Sequence, residues 1–261
     1  EVVANLDFLG IDYLIPVGGD DTLSYGVELG QRGVRLVAIP KTMDNDVPGT
    51  DYCIGFGTCV TRTINVVNQL KTSAASHERI MIGEVFGRYA GFTALLPTIA
   101  GAAHRCVIPE WKFDIDRLSG ILVEDRNQNP DKFSVCLVSE GAMMQGGEML
   151  VKGTETDQYG HAKLGGIGDQ VSALVKERAP AYNDVRKIDM ISMDLGYTVR
   201  SGDPDALDSI VPMAFGNLAV DLVLRGDHGR MVALRNGRYD SVPIDTVVAY
   251  KKVVDVEKFY D

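Results

Sequence analysis

Short apolar runs alternate with helical stretches along almost the whole chain. The first run covers 12–17 and is followed by a glycine-rich turn, a helix that Gly33 ends, and a second apolar run over 34–39. Four later runs are spaced by helical segments in the same way, at 79–86, 105–108, 133–139 and 188–195. Apolar strands without polar alternation are typical of parallel sheets covered on both faces. The pattern predicts an open, doubly wound α/β fold, with a polar loop over 145–168.

Composition excludes several classes of protein. The 261 residues include 26 basic and 36 acidic side chains, a net charge of −10. Such a surface repels nucleic acid and anionic lipid, so neither is an expected partner. No apolar run approaches the roughly 20 residues of a membrane span, and no secretory signal is visible, so a cytoplasmic location is expected. The cysteines lack zinc spacing and are interpreted as buried free thiols: Cys53, Cys59, Cys106 and Cys136.

The first candidate loop is Gly-Gly-Asp-Asp-Thr, which follows the strand that ends at Val17. Gly18 and Gly19 permit a tight turn in which backbone N–H groups approach an anion at a helix N-terminus. Adjacent carboxylates suit a phosphate site only if a divalent cation lies between the carboxylates and the phosphate. Asp20 is placed to hold Mg²⁺ in this way. The alternative is an aspartate that merely caps the helix after a glycine turn.

The second candidate loop follows the strand that ends at Ile39. It gathers a cation at Lys41, a hydroxyl at Thr42 and two carboxylates at Asp44 and Asp46. Phosphoryl transfer needs a carboxylate to accept the proton of the attacking hydroxyl and cations to offset phosphoryl charge. The loop therefore predicts a kinase-like site, and the alternative is a solvated polar turn.

Three further loops follow apolar strands, where ligands of such sheets collect. Arg88, beside a glycine, suits bidentate phosphate recognition. Glu140 in Ser-Glu-Gly can accept hydrogen bonds from sugar hydroxyls, and Tyr197 and Arg200 follow the last long strand. A surface ion pair for Arg88 and a helix-dipole carboxylate for Glu140 are the structural alternatives.

Taken in order, these loops resemble the phosphofructokinase family. The matching blocks are GGDDT, PKTMDNDVPGTDYCIGF, SHERIMIGEVFGRYAG, SEG and LGYTVRSGDPDALD. They extend over most of the chain, and the Asp-Asn-Asp block is highly specific. The resemblance implies a magnesium-dependent glycolytic phosphotransferase that acts on the C1 hydroxyl of fructose 6-phosphate.

The resemblance also assigns roles to single residues. It makes Asp44 the catalytic base, supported by Asp46, and makes Asp20 the Mg²⁺ ligand. Arg88 would stabilise the transferred charge and Arg79 would reach into a neighbouring subunit, so a homo-oligomer, a dimer or tetramer, is implied. The remaining sugar and phosphoryl contacts would come from Thr42, Phe86, Gly87, Glu140, Tyr197 and Arg200.

Three side chains bear on the identity of the phosphoryl donor. ATP-using bacterial members typically carry glycine where this chain has Asp21 and Lys41, and the residues present here resemble the pyrophosphate-dependent branch. A carboxylate at Asp21 would obstruct an α-phosphate and its nucleoside, while Lys41 can hold a terminal phosphate. Tyr197 stands where ATP-using members usually have histidine, and it also indicates the pyrophosphate-dependent branch. Pyrophosphate is therefore the expected donor, with ATP as the alternative and a non-catalytic sugar-phosphate-binding subunit as the second alternative.

The resemblance further implies two Rossmann-like lobes with mostly parallel sheets. The expected phosphoryl-donor lobe covers 1–55 and 200–240, and the sugar-phosphate lobe covers 56–199 and 241–261. Family members begin with a strand and a glycine-rich phosphate loop ahead of the Gly-Gly-Asp block, and the N-terminal part is expected to be missing here. Ile191 stands where the family usually carries a second intersubunit arginine.

Overall fold

A computed structural model describes residues 1–147, 149, 151–156, 162–183 and 187–260. Its helices are α1 Val2–Phe8, α2 Asp20–Gln31, α3 Phe56–Ser76, α4 Phe92–Ile99, α5 Ile115–Gln128, α6 Ile167–Arg178, α7 Gly196–Val199, α8 Ala206–Arg225, α9 Thr246–Ala249 and α10 Val256–Phe259, with a 3₁₀ turn at Ala179–Ala181. Its strands are β1 Val17–Gly18, β2 Val37–Pro40, β3 Ile80–Val85, β4 Arg105–Val107, β5 Ser134–Ser139, β6 Val151–Thr156, β7 Ala162–Leu164, β8 Met190–Asp194, β9 Arg230–Arg235 and β10 Arg238–Pro243.

The chain divides into two compact units. Unit 1 contains residues 1–58 and 203–252, and unit 2 contains residues 59–202 and 253–261. Residues 241–252 thus lie in unit 1, and not with the second lobe as expected from sequence, because β10 forms an antiparallel hairpin with β9. The α/β fold class with mostly parallel sheets is confirmed.

Unit 1 is built on a sheet in the order β1-β2-β9-β10. The first three strands are parallel and only β10 runs the other way. Its core consists of fully buried apolar side chains from α2 and the strands, which include Leu23, Leu36, Ala38 and Met231. The first strand is shorter than the apolar run predicts, because Pro16 has no N–H to donate and interrupts the ladder between Leu14 and Val17.

Unit 2 is built on a fully parallel sheet in the order β4-β5-β3-β8. The central strand β3 is buried along its whole length, as the apolar run of its sequence predicts. Leu122 of α5 and Val171 of α6 pack on it through the buried core. The expected loop over 145–168 is only partly a loop, since its described residues include the antiparallel pair β6 and β7.

Helix α8 corrects one expectation about apolar runs. Its 20 residues reach a mean hydropathy of 1.5, high enough by length and composition for a membrane span. In the described part of the chain it is the one helix that meets this test. Val211, Phe215, Ala219 and Leu222 are buried on one side of it, which accounts for part of this apolar character. Other large apolar side chains of the helix are exposed, among them Ile210, Met213 and Leu224.

A buried carboxylate joins α8 to the N-terminus of α3. Asp208 accepts hydrogen bonds from the hydroxyl of Tyr52 at 2.8 Å, the N–H of Gly55 at 2.7 Å, and the N–H and hydroxyl of Thr58. A negative charge is favourable at this end of a helix, where backbone N–H groups lack helical partners.

We expect Asp208→Asn to lower the stability of the protein. The variant loses the charge and directs an amide NH₂ toward groups that donate hydrogen bonds, which costs about 2 kcal/mol. Thermal unfolding should show Tm lower by about 5 °C, while Asp221→Asn on the exposed side of the same helix should leave Tm unchanged. An equal Tm for the two variants would show that the network is energetically neutral.

Candidate active site

The Gly-Gly-Asp loop forms the junction of β1 and α2. Gly19 is the N-cap of α2, and Asp20 and Asp21 occupy its first turn. A Cβ on Gly18 would lie 2.4 Å from the Cβ of Thr22, so only glycine fits there. The backbone thus places two carboxylates at a helix N-terminus, where the sequence predicts them.

The Asp-Asn-Asp loop lies directly beside it. The N–H of Lys41 donates to the carbonyl of Gly18 at 2.8 Å, and a Cβ on Gly19 would lie 3.6 Å from that of Thr42. The N–H of Asp44 donates to the hydroxyl of Thr42 at 3.2 Å. Unit 1 therefore brings together the two loops that the sequence predicts to carry chemistry in this part of the chain.

Asp46 carries a carboxyl group with a strongly shifted pKa. Burial and, after it, the charge of Asp20 raise its pKa to about 6 against the opposing charge of Lys252. Its Oδ1 is buried and accepts no hydrogen bond from the described residues. Lys252 itself has a pKa lowered by burial, and its distance from the motif in sequence hides its proximity to this loop.

The raised pKa predicts how stability depends on pH. Folding raises the pKa of Asp46 from 3.8 to about 6, so between these values the folded chain holds a proton that the unfolded chain releases. The free energy of unfolding should therefore fall as pH rises from 4 to 6. Asp46→Asn should remove this decline and stabilise the protein at pH 7 by about 3 kcal/mol. Urea unfolding at several pH values tests this, with Asp7→Asn as control, and parallel curves for the two variants would contradict it.

In unit 2, the Phe-Gly-Arg segment follows β3 directly. Gly87 has a φ of +123°, and a Cβ there would lie 2.7 Å from the carbonyl oxygen of Ala90. The hydroxyl of Thr93 donates to the carbonyl of Phe86. Glycine therefore sets the tight path that presents Arg88 at the carboxyl end of the strand.

The Ser-Glu-Gly loop packs against this segment. The N–H of Glu140 donates to the carbonyl of Val85 at 2.9 Å, and that of Gly141 donates to the carbonyl of Gly87 at 3.2 Å. A Cβ on Gly141 would lie 1.9 Å from the carbonyl oxygen of Arg88. The close approach of the two loops is thus possible only with glycine at position 141.

Two aromatic rings flank the guanidinium of Arg200. Its Cζ lies 5.4 Å from the ring centroid of Phe86 and 5.2 Å from that of Tyr197. The two rings meet edge to face at 6.4 Å. Cations are attracted to the faces of aromatic rings at such distances, so three predicted site residues form one cluster.

Arg79 lies apart from this cluster, because it precedes β3 whereas Phe86 follows it. The six residues of the strand separate the two positions by roughly 20 Å. Its Nε is buried and has no hydrogen-bond partner among the described residues. Its predicted role toward a neighbouring subunit stays a prediction.

Glu84 is a structural residue for which the sequence predicts no role. Its buried carboxylate accepts hydrogen bonds from the N–H groups of Gly166 at 3.0 Å and Gly168 at 2.8 Å. It thereby caps α6 from the strand that leads to Phe86. The partners are more than 80 residues away in sequence, so no local signal could have found this contact.

Each unit carries loops at strand ends that contain carboxylates, cations and glycines, and such loops are typical of α/β proteins that transfer phosphoryl groups. The sequence model of the family described as "Phosphofructokinase" matches residues 1–223. The chain belongs to the phosphofructokinase family, as its motifs predict.

Relatives of the chain are named for two different phosphoryl donors, ATP and pyrophosphate. The chain is 38% identical over 259 residues to an ATP-dependent 6-phosphofructokinase of Corynebacterium efficiens, covering 99% of this chain and 72% of the relative. It is also 38% identical to a pyrophosphate–fructose 6-phosphate 1-phosphotransferase of Streptomyces coelicolor, covering 96% and 71%.

Among solved structures, a pyrophosphate-dependent phosphofructokinase from Marinobacter aquaeolei matches with a TM-score of 0.78 and 21% identity, which supports the fold. That match covers 98% of this chain, and the chain spans 64% of that protein.

Proposed function

We propose that this chain transfers a phosphoryl group from pyrophosphate to the C1 hydroxyl of fructose 6-phosphate. The product would be fructose 1,6-bisphosphate, and the reaction would be reversible and serve glycolysis and gluconeogenesis in the cytoplasm. The observation that carries the proposal is the direct contact of the two motif loops at Gly18 and Lys41. It places a cation-bearing loop with two carboxylates beside a helix N-terminus that suits phosphate.

In this proposal Asp44 is the general base. Its carboxylate accepts the proton of the C1 hydroxyl as the oxygen attacks the terminal phosphorus. Lys41 and Arg88 offset the charge on the transferring group, and Thr42 and the backbone of Phe86 and Gly87 line it. Positioning and charge neutralisation carry most of this type of catalysis.

The carboxylates of unit 1 fit a magnesium ion. Burial and then the charge of Asp20 raise the pKa of Asp46, and Oδ1 of Asp46 accepts no hydrogen bond from the described residues. Such an accumulation of negative charge would be neutralised by a divalent cation. Mg²⁺ needs only one or two carboxylates when phosphate oxygens and water complete its shell. Asp20 would hold it, and the ion would supply charge neutralisation for the phosphates.

Arg200 and Tyr197 are proposed to bind the 6-phosphate, and Glu140 to accept hydrogen bonds from the sugar hydroxyls. The aromatic contacts of Arg200 support this, because they restrict a guanidinium that would otherwise move freely in solvent. Arg79 is proposed to complete the sugar site of a neighbouring subunit in a homo-oligomer.

Pyrophosphate is preferred over ATP because of Asp21 and Lys41. The side chain of Asp21 stands in the first turn of α2, one residue from the proposed metal ligand. A second carboxylate there disfavours the additional phosphate and nucleoside of ATP. The ATP-dependent relatives keep ATP as the alternative donor.

An assay of the full-length protein with each donor tests the proposal. We expect Mg²⁺-dependent formation of fructose 1,6-bisphosphate with pyrophosphate and little with ATP. Turnover with ATP alone would overturn the donor assignment. Binding of fructose 6-phosphate without turnover by either donor would favour a non-catalytic subunit.

A further inference from the structure

Asn45, between the two carboxylates of the Asp-Asn-Asp loop, has a left-handed backbone. Its φ is +54°, and it is one of four non-glycine residues with positive φ in the described part of the chain. It alone among them is buried, with 5% of its surface exposed. This conformation is unfavourable for residues other than glycine, although asparagine tolerates it best, so it persists where surrounding contacts enforce it.

The side chain of Asn45 makes two hydrogen bonds to one neighbouring segment. Its Nδ2 donates to the carbonyl of Asp51 at 3.2 Å, and its Oδ1 accepts from the N–H of Cys53 at 2.9 Å. The amide uses its donor and its acceptor together, on two backbone groups that lie two residues apart. A residue of a neighbouring β-strand bonds to its partner strand in the same way. The loop is therefore clamped to the backbone of residues 51–53.

That segment is itself fixed to the sheet of unit 1. The N–H of Asp51 donates to the carbonyl of Leu234 in β9 at 2.7 Å, and the hydroxyl of Thr50 donates to the carbonyl of Tyr52 at 2.9 Å. The N–H of Leu234 in turn donates to Thr50 Oγ1 at 3.0 Å. A continuous hydrogen-bonded path thus leads from the amide of Asn45 to a strand of the core.

We propose that Asn45 is a positioning residue whose amide clamp holds the left-handed turn that orients Asp44 and Asp46. The catalytic consequence of the clamp rests on the proposed function, because that proposal gives Asp44 and Asp46 their roles in catalysis. The clamp itself is a property of the fold. A displacement of about 1 Å at a reacting group costs up to a hundredfold in rate, so loss of the clamp should reduce kcat more than it affects sugar binding.

Three substitutions separate the backbone from the amide. Asn45→Gly adopts the left-handed turn without strain but makes neither hydrogen bond. Asn45→Asp retains an acceptor for the N–H of Cys53 and loses the donor to Asp51. Asn45→Ala loses both bonds and is strained. Asn236 is the matched control, because it is exposed and also has positive φ, at +49° in the turn from β9 to β10.

We expect Asn45→Gly in the full-length protein to lower kcat by tenfold to a hundredfold, with KM for fructose 6-phosphate within about twofold of wild type. Asn45→Asp should lie between it and wild type, and Asn236→Gly should match wild type. If Asn45→Gly lowered Tm while kcat stayed within about threefold of wild type, its role would be merely structural and the proposal would be wrong.

Hydrogen exchange gives a reading that does not depend on the reaction. The backbone amides of residues 42–47 should exchange at least about tenfold faster in Asn45→Gly than in wild type. In Asn236→Gly the exchange rates of the same amides should equal those of wild type. Unchanged exchange at 42–47 would overturn the clamp. Faster exchange in a protein that is inactive with both donors would instead overturn the proposed function and leave the clamp standing.

Discussion

Asp44→Asn in the full-length protein should lower kcat by about a thousandfold, because the variant keeps the shape of the side chain and removes the base. General base catalysis contributes roughly 10² to 10⁴ to such reactions. The N–H of Asp44 would still donate to Thr42, so the loop should keep its path. The affinity for fructose 6-phosphate, measured by calorimetry, should remain within about threefold of wild type.

Asp7→Asn is the matched control, since Asp7 is exposed in α1 and carries the same change of charge. It should leave both kcat and sugar affinity unaltered. Two outcomes would contradict the assignment of Asp44. Turnover above about a tenth of wild type would mean that another group accepts the proton. Loss of sugar affinity together with turnover would mean that Asp44 binds substrate in the ground state.

The local features of the fold and of the candidate loops could be read from sequence. Strand β3 is buried along its whole length. Strands buried on both faces can be recognised in sequence because polar residues do not alternate with apolar ones. Gly18 was predicted as a turn residue, and the structure agrees because a Cβ there would overlap Thr22. The family itself followed from the ordered motif blocks.

Contacts between distant parts of the chain could not be read in this way. Asp208 bonds to Gly55 across 153 residues, and its sequence neighbourhood shows only the start of a helix. Asn45 was part of a recognised motif, yet its amide bonds depend on where residues 51–53 are held by β9. The raised pKa of Asp46 likewise depends on burial and on Asp20, which pairwise spacing does not reveal.

The joint replacement of Asp21 and Lys41 by glycine should lower kcat/KM for pyrophosphate by about tenfold to a hundredfold. Lys41 is exposed, and its ammonium is expected to meet the terminal phosphate as a charge-assisted hydrogen bond, a contact whose removal costs about 1.5–3 kcal/mol. Asp21→Gly alone should have a smaller effect on pyrophosphate. It should chiefly permit ATP to bind, because it removes a negative charge and the bulk that would face the α-phosphate.

The measurement is kcat/KM for each donor in the wild type, both single variants and the double variant. Glu28→Gly, at an exposed position of α2, reports what a glycine costs in this helix by itself, about 1 kcal/mol of stability. It should leave donor preference unchanged. Because the two loops touch at Gly18 and Lys41, the two replacements should not be independent, and the double variant should differ from the product of the single effects. A double variant that uses pyrophosphate as well as wild type does would refute this electrostatic basis of donor choice, whereas a shift of turnover from pyrophosphate toward ATP would locate that choice in these two side chains.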